Sequence, residues 1–389
     1  MNRRNIYILF IYSFFNSFLL YRACDVLYYI SKGISNSEYI NYISVGSLIT
    51  IIFLIPFGII KDKYNRKYIL LVSNLFLLLA TIIYIHAANS IVMGIGIIMS
   101  AISNLLSQGI ITSLLHSYIK DKKEYSIMYY KWSAFYYSGY LISMVLGGIV
   151  ASFSLVYMYY ISIIPIVINF IILMIYDDNK EKNKSKNKST FILKESFNLL
   201  KKSKLLKIIL LSEIIIIPLG DILAESHPEY LSNIGASTTL IGIYTAIMCL
   251  FAIVGNKIAS IYKINIKTFF IYSILYSCSL TLIGFVNNYF SIIFIILFQC
   301  FFSVTNNIYN TIVQSECDDS YRQTILAIFT FIISISEMVI CTITSFAFNN
   351  IGLGKSYIVL GICGLFIIII VIFVNYYIIN NNDKKLSSR

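Results

Sequence analysis

The chain has 389 residues, 58% of them hydrophobic and 12% charged, with a formal net charge of +12. Charged residues stand at about half the share usual in a soluble domain, which excludes a water-soluble globular protein. The basic surplus suggests nucleic acid at first sight, but its distribution along the chain argues for a different role.

Apolar runs near twenty residues recur from end to end, each about long enough to cross a ~30 Å hydrocarbon core as a helix. Every backbone N–H and C=O in hydrocarbon must be paired within its own segment, so the runs are expected to be helical. They predict spans at 5–30, 39–60, 68–87, 91–118, 127–152, 155–176, 205–230, 238–262, 266–286, 289–314, 323–348 and 356–380. The start "MNRRNIYILF" reads as a first membrane helix rather than a cleaved leader, because the apolar run continues without a small-residue cleavage site. With twelve spans and a cytoplasmic N-terminus, 27 of the 30 Lys and Arg fall on the cytoplasmic side; Arg22, Lys32 and Lys355 are the remainder. Shifting the frame by one span destroys that asymmetry, so the surplus orients the chain in the bilayer. Both termini are expected in the cytoplasm, in a plasma-membrane protein that binds lipid and no nucleic acid. The seven cysteines form no C-x-x-C pair, so no metal or cofactor is expected.

In chain order, span 1 carries Arg22 and Asp25, three residues apart and so on one helix face. An ionisable side chain near the bilayer centre costs at least ~2.5 kcal/mol and needs a compensating reason. Spans 1 and 5 are rich in aromatics (Phe14, Phe15, Phe18 and Tyr21; Tyr129, Tyr130, Phe135, Tyr136 and Tyr137). They suit a pocket for a lipophilic compound, or packing in a chain rich in aromatics throughout. The connector after span 2, "GIIKDKYNRK" at 58–67, packs one acid and four bases into ten residues. Gly58 is expected to admit a neighbouring helix. Asp62 is expected to accept hydrogen bonds from a facing helix N-terminus. Lys63, Arg66 and Lys67 add positive charge, with Arg66 and Lys67 suited to acids on another loop. Asn65 tolerates a left-handed conformation, as glycine does. A plain positive-inside signal is the alternative.

Span 5 contains "GYLISMVLGG", whose Gly139, Gly147 and Gly148 form a small face suited to close helix packing. The longest polar stretch, 177–204, divides the chain into an N-terminal six-helix half (1–176) and a C-terminal half (205–380), with a tail at 381–389. Its first part is low-complexity and solvated. Its second part, "FILKESFNLLKKSK", has the spacing of an interfacial amphipathic helix, or is a plain linker. Span 7 holds Glu213, Asp221 and Glu225, the last two sharing a face. Glu213 is expected to pair with Lys207 or a nearby loop, and His227 to be solvated at the outer end. Glu337 lies deep in span 11. The halves show a faint repeat: "YISKGIS" (29–35) ends span 1 and "YLSNIGAS" (230–237) ends span 7. Such a repeat is a transporter architecture, with binding near the midplane. "GLGKS" (352–356) lacks the first glycine of a phosphate loop, and the three histidines are scattered, so no enzyme is expected.

The stretch 58–67 resembles the signature loop of the major facilitator superfamily, with Gly58, Asp62, Lys63, Arg66 and Lys67 matching and Asn65 in place of a glycine. The span 5 glycines resemble that family's antiporter motif, with Ser143 and Met144 in place of a glycine and the proline. "SQGIITSLLHSYIKDKKEYS" and "SECDDSYRQTILA" are similar to loops of its bacterial drug exporters, though His116 and Ser117 stand where those carry an acid. The resemblance implies an all-α membrane protein, twelve transmembrane helices in two pseudo-symmetric six-helix halves. It implies that spans 1 and 7 flank a central cavity, that span 11 lies off it, and that the span 2 loop latches against the start of span 11 near Glu316, Asp318 and Asp319. Arg22 would then pair with Asp221 or Glu225, and Asp25 would carry a proton. The function expected is proton-coupled export of a small amphipathic or drug-like compound by a monomer. Uptake of a small metabolite, and a non-transporting sensor or assembly partner, are the alternatives.

Overall fold

The computed structural model describes residues 3–87, 89–119, 122–177, 200–261, 265–316 and 322–387. No strand occurs among them. The helices are α1 (Arg3–Ser17), α2 (Asp25–Ser31), α3 (Asn36–Lys63), α4 (Arg66–His86), α5 (Ser90–Ser107), α6 (Ile110–Tyr118), α7 (Lys122–Phe153), α8 (Leu155–Ile175), α9 (Lys204–Asn233), α10 (Thr238–Ile261), α11 (Ile266–Val286), α12 (Ser291–Glu316), α13 (Arg322–Ile351) and α14 (Leu353–Ser387). Ten helical stretches among the described residues are long and apolar enough to cross a membrane. The expected spans 1 and 7 are not among these ten. Span 1 is broken into short pieces, and α9 carries Glu213, Asp221 and Glu225. Of the expected linker helix at 191–204, residues 200–202 are helical and 191–199 lie outside the described residues.

The break in span 1 is a departure from the expected single helix over 5–30. After α1 come a 3₁₀ turn at Leu20–Ala23 and then α2. No Gly or Pro occurs between Phe14 and Asp25, so the cause is tertiary. Backbone groups freed inside a membrane must find partners. Ser162 Oγ accepts from the Leu20 N–H at 2.9 Å, and the Leu19 N–H donates to the Ser17 carbonyl at 2.9 Å. Ser17 Oγ donates to the carbonyls of Phe14 and Tyr136. Span 4 is broken too, between α5 and α6, where Gly109 takes φ +76.

By its contacts the chain forms two compact units. The first is Met1–Asn183 with Ser226–Cys249; the second is Lys184–Glu225 with Leu250–Arg389. In the first, α1 packs on α7 and α8, and α4 on α5 and α8. Lipid tails are as apolar as Leu, so close approach and interhelical hydrogen bonds hold such helices together. The Ser73 and Ser103 hydroxyls each donate to the other's backbone carbonyl, and Asn74 Nδ2 donates to the Ile166 carbonyl at 2.9 Å. In the second unit α11 packs on α12 and α14. The pairing of α4 with α8 in one unit and of α11 with α14 in the other is alike in the way a parallel repeat predicts.

The faint sequence repeat has a matching local geometry. Gly33 (φ +83) follows α2, and Gly235 (φ +94) follows α9. The Ile34 N–H donates to the Tyr29 carbonyl and the Ala236 N–H to the Leu231 carbonyl, the same six-to-one closure. A serine then caps the next helix in both places: Ser35 accepts from the Glu38 N–H and Ser237 from the Leu240 N–H.

Candidate functional site

In the first unit, Arg22 and Asp25 do not share a helix face as expected. Arg22 sits in the 3₁₀ turn and Asp25 opens α2, with Cys24 in a non-helical conformation between them. Arg22 bonds to Tyr136 of α7 and lies within electrostatic reach of Tyr21 and Tyr140. The Asp25 carboxylate accepts from the Val26 N–H (2.8 Å) and from the Tyr39 hydroxyl (3.1 Å). Around it six tyrosines, 21, 28, 29, 39, 84 and 159, form one contiguous buried cluster. The rings of Tyr21 and Tyr159 stack at 4.8 Å, and the Tyr28 hydroxyl donates to the Tyr84 carbonyl. These rings fill one another's space, which favours packing over ligand binding here. His227 is not solvated as expected: it is buried, with Nε2 2.9 Å from Thr245 Oγ1.

The second unit gathers acids. Asp221 lies within electrostatic reach of Glu225, four residues on along α9, and of Glu337 on α13. Cys341, one turn after Glu337, feels all three. Glu337 is not among the expected pathway residues, because the resemblance implies that span 11 lies off the cavity. The structure brings it to Asp221. The available signal was a lone acid deep in an apolar run. No three His, Cys, Asp or Glu side chains converge at metal-ligand spacing among the described residues. Glu213, for which a local cation is the expectation, is fully buried, and neither carboxyl oxygen has a hydrogen-bond partner among the described residues.

The charged connector is built differently from its expected form. Asn65 is not left-handed: at φ −66 and ψ 130 it is the N-cap of α4, its side chain accepting from the Lys67 N–H at 2.8 Å. Asn is among the best N-caps, which accounts for its place there. Among the described residues Lys67 bonds to carbonyls and to no acid. Its ammonium donates to the carbonyls of Met174 (2.9 Å) and Tyr176 (2.5 Å), capping the C-terminal end of α8, where a cation is favoured. Lys61 Nζ likewise donates to the Gln108 carbonyl at the α5–α6 break. A Cβ on Gly58 would meet nothing within 4 Å among the described residues, so the expected close approach is not made. The physical reason is that α3 is mostly surface: 11% of its most apolar stretch is buried, against 50% for α4. Lys63 is exposed and Arg66 half-buried. The Asp62 side chain, Asp318 and Asp319 lie outside what is described; Glu316 accepts from Ser203 Oγ at 3.1 Å.

The family model described as Major Facilitator Superfamily matches residues 6–340. The chain belongs to the major facilitator superfamily. It is therefore a multi-pass membrane transporter of small molecules and not an enzyme. Solved members of the superfamily fold in the same way. The nucleoside transporter NupG is 13% identical with a TM-score of 0.73, over 96% of this chain and 98% of that one. A D-xylose–proton symporter is 12% identical with a TM-score of 0.73, over 94% and 96%. A bacterial homologue of the human lysosomal transporter Spinster, inward-facing and unoccupied, is 13% identical with a TM-score of 0.72, over 95% and 96%. Identities this low carry the fold alone. No curated protein sequence matches the chain.

Within this superfamily member the glycines of α7 sit at crossings. A Cβ on Gly139 would meet the Phe14 carbonyl and Ser17, and one on Gly147 would meet the Leu20 carbonyl and Ala23, so both face the broken first span. A Cβ on Gly148 would lie 2.8 Å from the Cα of Gly242, a backbone-to-backbone approach between α7 and α10 that only glycine permits at both positions.

Proposed function

We propose that this transporter works by alternating access, driven by protons, and exports a small amphipathic or drug-like compound across the plasma membrane. In this reading it is a monomer of twelve spans with both termini in the cytoplasm, and the halves 1–176 and 205–380 move against each other about a central path. The observation that carries the proton coupling is the group Asp221, Glu225 and Glu337 on membrane helices. Like charges held close in a medium of low dielectric repel strongly, so such a group is suited to take up and release a proton as its surroundings change. Asp25 is the weaker candidate for that step, since the Tyr39 hydroxyl and the Val26 N–H already engage its carboxylate. Arg22, on the 3₁₀ turn beside Tyr136, is proposed to meet the solute. The loop Gly58–Lys67 is proposed as the inner gate, with Asp62 as its acid.

Export is the direction that the drug-exporter-like sequence stretches favour. Uptake is the second reading, and the similarity to a D-xylose–proton symporter favours it, since a symporter carries solute and proton the same way. The test is accumulation of fluorescent lipophilic cations in cells stripped of their own exporters, with and without the protein and with and without a protonophore. Lower accumulation that the protonophore abolishes is expected. Dye accumulation unaffected by the protein, together with proton-driven uptake of a metabolite in reconstituted vesicles, would replace export by the second reading. Asp62→Asn should slow transport without changing the amount of protein in the membrane.

A further inference from the structure

Glu213 stands apart from the acidic cluster of α9 and α13. It is fully buried on α9, and both its oxygens lack a hydrogen-bond partner among the described residues. A carboxyl in that position is a standing cost unless it is neutral or is used. The ionisable groups that face it are Tyr276 from α11 and Tyr309 from α12; α14, which meets α9 where Gly364 touches Leu219, adds no such group among the described residues. Tyr276 is within electrostatic reach of both Glu213 and Asp221. Its hydroxyl donates to the Ile216 carbonyl at 2.7 Å, at a point on α9 between the two acids. Eight residues of helix separate Glu213 from Asp221, about 12 Å of rise, too far for a direct proton hop. A hydroxyl between them divides that distance.

We propose that Glu213 is a second proton-holding site, a station between the Asp221 group and the start of α9, joined to Asp221 through the Tyr276 hydroxyl. The idea rests on the proton-coupled reading above and deepens it. Tyr276 turns from the Ile216 carbonyl and passes its own proton to the Glu213 carboxylate while its oxygen takes the proton of the Asp221 carboxylic acid. Two O–H bonds break and two form, one negative charge moves from Glu213 to Asp221, and no oxidant or further reactant is involved. Glu213 then releases its proton toward the end of α9 that begins at Lys204. Tyr309 lines the same carboxyl and limits the water that reaches it.

The experiment is infrared difference spectroscopy of the purified full chain in H₂O and D₂O, and its probe is the proton itself. The native protein minus Glu213→Gln should show the stretch of a protonated, buried carboxyl, and that band should shift within seconds of transfer to D₂O. The native protein minus Asp221→Asn identifies the band of Asp221. Tyr276→Phe should slow deuteration of the Asp221 band about 100-fold and leave the Glu213 band fast. Absence of a Glu213 carboxylic band overturns the proposal, because the group is then ionised throughout. A band that stays unshifted for hours overturns it as well, because Glu213 is then a sealed packing residue. An Asp221 band that exchanges equally fast in Tyr276→Phe removes the connection between the sites. If Tyr276→Phe fails to fold, Tyr276→His restores a transferable proton, and slow exchange there also counts against the relay. Failure of the dye assay would sink proton-coupled export while leaving these spectra intact, so the two ideas fail separately.

Discussion

The first and seventh spans end alike and are built in opposite ways. Both close on a left-handed glycine with the same six-to-one bond, at Gly33 and Gly235. The first is broken into α1, a 3₁₀ turn and α2; the seventh runs unbroken from Lys204 to Asn233. The difference decides what their ionisable residues can do. At the break, exposed backbone, serines and tyrosines supply partners, and Asp25 is absorbed into local structure. On the unbroken helix the backbone is satisfied internally, and acids must meet side chains from other helices. Asp221 accordingly meets Glu337 of α13, besides Glu225 of its own helix, and Glu213 has no hydrogen-bond partner among the described residues. A break accommodates polar groups, whereas a continuous span leaves them chemically available.

The sharpest way to break this comparison is to neutralise acids on both sides of it. Asp221→Asn and Glu337→Gln should each lower protonophore-sensitive transport about 100-fold, the scale of a lost proton-transfer group. Asp25→Asn should affect transport far less and act mainly on the amount of folded protein. A greater transport loss in Asp25→Asn would invert the assignment. Next in size is the break itself. Ser162→Ala leaves the buried Leu20 N–H without an acceptor and should cost about 1–3 kcal/mol, read as a lower melting temperature in detergent. Ser212→Ala removes only a bond to the Ile208 carbonyl of its own helix and should be nearly neutral. Equal losses would mean that the break is not held by the serine.

Smaller effects test the shared ending. Gly33→Ala and Gly235→Ala meet no neighbour at Gly33 and a left-handed backbone at both positions, so each should cost about 1 kcal/mol. A marked inequality would show that the two turns are alike in geometry only. The smallest effect is expected at Gly58, where added volume meets open space: Gly58→Ala should change stability by no more than about 0.5 kcal/mol.

Several features were visible in the residues and several were not. Helix positions followed from apolar run length, and ten such stretches stand where the runs placed them. The repeat between 29–35 and 230–237 could be read because glycine and serine positions encode a turn locally. The break after Ser17 could not, since no Gly or Pro marks it and the stabilising hydroxyl comes from Ser162, on α8. The cap at Asn65 could not be read either, because its bond depends on where α4 starts, one residue later. His227 looked like a surface residue until its neighbour Thr245 was known.

The sequence by itself determined the class of this protein: its membrane helices and its family. Those follow from hydrocarbon thickness, backbone pairing and local chemistry, which act along the chain. Only the tertiary structure decided which acids meet. Asp221 and Glu337 stand over a hundred residues apart, and no local periodicity relates them. The fold brings their like charges within electrostatic reach of each other, and it leaves Glu213 buried with no hydrogen-bond partner among the described residues.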